Sequence, residues 1–138
     1  MDTRRERDTM CFGCGANNPI GLHMHFKTDA DSVTGTFVPQ PVHQSYDGRM
    51  HGGLICTLLD ETMGNYPYMV EHRVAYTAKM EIRYRKPVQI GETVRIVAKV
   101  KRRKGPLLEL TGQVILEDGS IAAEAESKMM YEDKHETR

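Results

Sequence analysis

The chain carries no net charge, because Lys plus Arg and Asp plus Glu each number 19. It therefore lacks the basic field that draws proteins to nucleic acid or to an anionic membrane, and small molecules or further copies of the chain are the expected partners. Long apolar runs are also missing. Met1 to Asp8 are charged and lead into no stretch long enough for a signal peptide or a membrane span, so a cytoplasmic protein is expected. Cysteine is scarce, and three Cys cannot all pair within one chain, which fits a reducing compartment. Cys11 and Cys14 have Cys-x-x-Cys spacing, yet no second Cys pair follows to complete a four-ligand zinc site. His23 and His25 complete one on paper, but as i and i+2 on one strand they are an uncommon ligand pair for those thiols. Two thiols tucked under a Gly- and Pro-rich loop, with no metal, are expected instead.

Between Gly52 and Glu71 there is neither Lys nor Arg, and this gap falls on the most informative stretch of the chain. Counted at 100° per residue, Leu54, Ile55, Leu58, Leu59, Thr62, Met63 and Tyr66 share one arc of a helix. Cys56, Thr57, Asp60, Glu61 and Gly64 share the other. A polar arc of small residues without long cations is not a typical solvated face, so a second surface is expected to cover it, with Asp60 in the seam. The helix is expected from about Gly53 to Met69, with Pro67 forcing an end or a kink near Tyr66. Its start, at Gly52 and Gly53, offers backbone N–H donors and the positive end of the helix dipole, which suits an anion or a developing oxyanion.

Around this helix the period is two. A hairpin is expected from strands 22–27 and 33–38, with Val33, Gly35 and Phe37 on one face. After the helix, strand 74–85 places Met80, Ile82 and Tyr84 opposite Glu81, Arg83 and Arg85. Three further alternating strands follow, built on Val94 to Val100, Leu108 to Leu116 and Ile121 to Tyr131, with Asp118 and Gly119 as a two-residue hairpin turn. The 138 residues make one α+β domain, six antiparallel strands wrapped round one long central helix, with 1–10 and 132–138 as flexible ends.

His51, Gly52 and Gly53, the following Leu54 to Leu58, and Asp60 together resemble the hotdog-fold acyl-CoA thioesterases, in the PaaI-like branch related to phenylacetyl-CoA and 4-hydroxybenzoyl-CoA thioesterases. The resemblance spans nearly all of the chain after Cys11. It implies hydrolysis of an acyl-CoA without a cofactor, in homodimers or dimers of dimers, the helix start of one subunit facing the acid of the other. Gly52 or Gly53 would polarise the thioester carbonyl through its N–H, Asp60 would serve as general base or as nucleophile, and Thr77 would hold the attacking water. Relatives often carry Asn six residues before the His; here that position is Ser45, so Ser45 or Gln44 substitutes, or the carbonyl is held differently. The opening from Cys11 to Leu22 recurs in this branch, as loop packing rather than a redox pair. His51 is expected to satisfy loop backbone groups beside the substrate. Arg102, Arg103 and Lys104 are candidates for the phosphates of CoA, with Arg49, Arg83, Arg85 and Lys86 as alternatives. A non-catalytic module that binds acyl-CoA is the second functional class.

Overall fold

The computed structural model describes residues 8–29 and 31–132. The ends expected to be flexible therefore lie largely outside the described residues. Met10, however, accepts a hydrogen bond on its C=O from Asn18 Nδ2 at 3.0 Å.

Six strands form one antiparallel sheet: β1 (Phe26–Thr28), β2 (Ser32–Phe37), β3 (Ala75–Tyr84), β4 (Val94–Lys104), β5 (Leu107–Ile115) and β6 (Ile121–Tyr131). Their order across the sheet is β1-β2-β4-β5-β6-β3, so β1 and β3 are its edges. The helix α1 (Gly52–Val70) lies on one face. Alternation in the sequence builds that face: Val33, Val94, Ile96, Leu108, Leu110, Val114 and Ala123 are fully buried and pack with Leu58, Leu59 and Met63 of α1. Burying these side chains is the main stabilisation, at roughly 1.5–3 kcal/mol for each large one. Helix and sheet pack tightly at Gly112 on β5, where a Cβ would lie 3.2 Å from Leu59 Cδ2 and from Met63 Sδ. Polar groups caught in this layer are satisfied locally. Thr62 Oγ1 donates to Leu58 C=O at 2.7 Å, and Asn65 Nδ2 donates to Glu61 C=O at 2.8 Å.

Four local expectations need correction. The strand expected at 22–27 is a strand only from Phe26 to Thr28. His23 sits in the left-handed region at φ 53°, and Leu22 and Met24 donate instead to Phe12 and Gly13 of the Cys loop, at 2.8 and 2.9 Å. Pro67 does not end the helix, which runs on to Val70. Pro67 lies so near the C-terminus that its missing N–H costs only one bond of the last turns. Termination is left to His72 at φ 56°, which turns the chain so that Arg73 N–H meets Pro67 C=O at 3.0 Å. Asp118 and Gly119 belong to a three-residue loop: Leu116 N–H donates to Ser120 C=O at 2.8 Å, and Gly119 supplies the positive φ of 89°. Finally, β3 does not keep one period throughout. Thr77 is opposite Met129 while Lys79 is opposite Lys128, so Ala78 is the extra residue of a β-bulge.

No helix among the described residues is long and apolar enough to cross a membrane.

Candidate active site

The two arcs of α1 are as its period requires. Ile55, Leu58, Leu59, Thr62, Met63 and Tyr66 are buried, while Cys56, Thr57, Asp60, Glu61 and Gly64 are half-buried. Asp60 is not loose in solvent: Thr77 Oγ1 donates to its Oδ1 at 2.7 Å. The bulge at Ala78 makes this contact possible. With strict alternation, odd-numbered Thr77 would share the outer face with Glu81 and Arg83; one inserted residue brings Thr77 to the helix side while Met80 and Ile82 also stay inward, half-buried against the core. A carboxylate and a hydroxyl in contact can hold and deprotonate one water.

The helix start is built by His51, the N-cap residue, with φ −64° and ψ 133°. Its Nδ1 accepts the Gly53 N–H at 2.9 Å, the backbone-satisfying role expected of it. As an acceptor, that ring nitrogen carries no proton. The Gly53 amide is thereby engaged. Gly52, as the first helical residue, has no intrahelical acceptor for its own N–H. Its C=O accepts from Tyr84 Oη at 2.8 Å, tying the helix start to the end of β3. Nothing in the sequence flagged Tyr84 for this part.

A groove of about 320 Å³ opens at the helix start, with Ser45, Arg49, Gly52, Tyr84, Arg85 and Lys86 among its walls. Gln44 does not share the position of Ser45. Its Oε1 accepts Gly48 N–H at 2.5 Å and its Nε2 donates to Pro41 C=O at 3.0 Å, so it holds the loop together. Arg102, Arg103 and Lys104 are elsewhere. Arg103 ion-pairs with Glu71 at the helix C-terminus and donates to Tyr131 Oη at 2.9 Å. That end is about 28 Å from Gly52 along the helix axis. Arg102 pairs with the buried Glu109 at 3.2 Å. Arg85 has a partner as well, Glu124, through Nε at 2.6 Å.

Burial pushes the Cys56 thiol above its usual range, and the negative charge of Asp60 adds to the effect. Cys56 is thus a protonated thiol at neutral pH, the opposite of an activated nucleophile. Burial, followed by the influence of Cys56, raises Tyr84 in the same way.

Residues 47–123 match the family model described as thioesterase superfamily. Among curated proteins none matches. Solved structures share the fold. A crystallised thioesterase superfamily protein is 22% identical with a TM-score of 0.81 over 88% of this chain, which spans only 60% of that protein's length. The PaaI protein from the phenylacetic acid degradation operon of E. coli is 16% identical, with a TM-score of 0.75 over 81% of each chain. A hypothetical thioesterase from Streptococcus pneumoniae, crystallised with coenzyme A, is 18% identical, with a TM-score of 0.74 over 79% of this chain and 88% of its own. These likenesses make the architecture a hotdog fold, one sheet wrapped on one helix.

Proposed function

The chain belongs to the thioesterase superfamily, and from that premise we propose that it hydrolyses an acyl-CoA thioester to the free acid and CoA, at a site shared by two copies of the chain. The observation that carries this reading is a distance within one chain. Gly52 and Asp60 are eight residues apart on one helix, about 12 Å along the axis and some 80° round it. One carbonyl cannot touch both. A second copy, related by a twofold axis that sets the two helices antiparallel, brings its helix start to Asp60 and completes the site. The uncovered polar arc of α1 and the long exposed edge of β3, whose Tyr76 and Tyr84 are about half exposed, are the surfaces such a dimer covers.

Asp60, held by Thr77, takes a proton from water as the oxygen attacks the thioester carbon; alternatively its carboxylate attacks that carbon itself, and water then hydrolyses the acyl–Asp60 anhydride to the free acid and the restored carboxylate. The carbonyl oxygen gains negative charge and is received by the partner's helix start, with Gly52 N–H as the donor that His51 leaves available. The C–S bond then breaks, and CoA departs as a thiolate that takes up a proton. Arg49 and Lys86, at the groove by the helix start, are better placed for the phosphates than Arg102 and Arg103, whose charges are already met. The pneumococcal thioesterase, whose structure includes coenzyme A, has also been crystallised with an aspartate and, separately, a threonine replaced by alanine. Those are the residue types that meet here.

Assay against short-chain, long-chain and aryl acyl-CoA esters, with release of the CoA thiol as the readout, tests the proposal. Hydrolysis of at least one class is expected. If every ester is bound and none is cleaved, the chain is an acyl-CoA-binding module instead.

A further inference from the structure

The Cys loop and the helix meet at a point the sequence did not indicate. Cys11 Sγ donates to Glu61 Oε2 at 3.3 Å, across fifty positions of the chain. Cys11 Sγ, Cys14 Sγ and a Glu61 carboxylate oxygen all lie within 4.8 Å of one another. From this we infer a divalent metal site of the zinc class, with Cys11, Cys14 and Glu61 as ligands.

The fit is chemical and steric. Tetrahedral zinc at its usual bond lengths sets sulfur–sulfur separations of roughly 3.8 Å and sulfur–oxygen separations of roughly 3.5 Å. The 3.3 Å between Cys11 Sγ and Glu61 Oε2 is already near the second value, and all three separations are at most 4.8 Å. Two soft sulfur donors and one carboxylate form a borderline-soft set, which suits zinc better than calcium or magnesium. The loop is shaped to admit the carboxylate: a Cβ on Gly13, between the two cysteines, would lie 2.3 Å from Glu61 Cδ. Gly15 is equally constrained, since a Cβ there would lie 2.4 Å from Cys11 N and from Thr9 O. Backbone bonds fix the turn itself, with Gly15 N–H donating to Cys11 C=O at 2.8 Å and Met24 N–H to Gly13 C=O at 2.9 Å. The ligands the sequence offered beyond the thiols were His23 and His25, not a carboxylate of the helix. His23 is otherwise engaged, its Nε2 lying 2.6 Å from Asn18 O. The third ligand came from the helix, and water completes the shell. Metal binding releases the two thiol protons and pins the loop to α1 one residue beyond Asp60.

The test is optical and independent of turnover. Full-length protein, reduced and freed of metal by chelator, is titrated with Co²⁺ and then with Zn²⁺. One equivalent of Co²⁺ should give thiolate charge-transfer absorption in the near ultraviolet together with the visible bands of tetrahedral cobalt, both abolished by Zn²⁺. Cys11→Ser and Cys14→Ser should each lose about half of the charge-transfer intensity. Glu61→Gln, which keeps both thiols and its shape, should weaken binding at least about tenfold, no less than loss of an outer-shell partner does. Absence of these bands from a protein with native circular dichroism and all three thiols reduced would overturn the site. So would undiminished Co²⁺ affinity in the Cys11→Ser/Cys14→Ser double variant, or in a folded Glu61→Gln protein.

Discussion

In the proposed mechanism, Asp60 and Thr77 illustrate how little machinery a thioester requires. Its carbonyl is already electrophilic and its leaving group is a good one, so the side chains need only deliver water and neutralise charge. Asp60→Asn keeps the size but removes the base, and kcat should fall by roughly 10²–10⁴. Glu61→Gln should lower it far less, because that carboxylate faces the Cys loop. Thr77→Val removes the 2.7 Å bond and should lower kcat by about 10- to 100-fold, the scale of a hydrogen bond to a charged group. Gly52→Pro is a sharper probe: proline is favoured at a first helical position and His51 already has the extended backbone that must precede it. A Cβ at Gly52 would meet the Tyr84 side chain only at ordinary contact distance. The one thing certainly lost is the N–H, and kcat should fall by about 10²–10³. An unaffected Gly52→Pro enzyme would move the oxyanion donor elsewhere. Cys56 reports on the charge of Asp60 without any substrate. Its pKa is raised first by burial and then by Asp60, so in Asp60→Asn the midpoint of its alkylation should move down in pH, as read peptide by peptide by mass spectrometry. Asp60, Gly52 and Thr77 stood out in the sequence through spacing and resemblance, and the structure brings Thr77 to Asp60; their catalytic roles belong to the proposal. Tyr84 on Gly52 did not stand out, since a contact between residues 32 apart is set by tertiary packing and leaves no periodic trace.

Among the elements, β3 departs most informatively from its own pattern. A period of two from 74 to 85 correctly turns Met80 and Ile82 inward, and the same rule would send Thr77 outward. The resemblance pointed to Thr77 all the same, and the bulge at Ala78 reconciles the two. Nothing local marks such a bulge: Ala is compatible with either backbone geometry, and the ladder is broken to suit the helix opposite. Deleting Ala78 should therefore leave a regular ladder in which Thr77 is still opposite Met129 and on the helix side, so kcat should fall by less than in Thr77→Val. A loss as large as that of Thr77→Val would show that the bulge itself, beyond the parity it sets, places the Thr77 hydroxyl. Gly112 makes a second case. Its strand alternates as expected, but only the packed helix reveals that the position must be small. Gly112→Val should destabilise the fold by about 1–3 kcal/mol through overpacking against Leu59 and Met63, as urea denaturation would measure. The helix and the strands were readable because hydrophobic period encodes them; the order across the sheet, with β3 beside β6 and not β4, was not. Exact loop lengths and the short β1 were not, because backbone partners such as Phe12 and Gly13 for Leu22 and Met24 come from a distant loop.

For the whole molecule, the proposed shared site would make activity a property of a pair. If Asp60→Asn and Gly52→Pro chains are unfolded together and refolded, each mixed dimer has one site with both residues intact. Roughly a quarter of the parental activity should return from two inactive parents. No recovery from chains shown to mix would place acid and amide in the same subunit and sink the interface proposal, as would a monomer in sedimentation at assay concentration. Within each chain, α1 is fastened at both ends to different strands. Tyr84 of β3 holds Gly52, while Glu71 is held by Arg103 of β4 and accepts from Tyr131 Oη of β6 at 2.6 Å. The Arg73 guanidinium lies 3.5 Å from the centre of the Tyr131 ring and closes the clasp. Helices normally fray from their termini, so their end amides exchange with deuterium long before the middle. Here the hydrogen-bonded amides of the terminal turns, the unengaged Gly52 N–H excepted, should keep their protons nearly as long as the centre, because the strands that grip each end must let go before its turn opens.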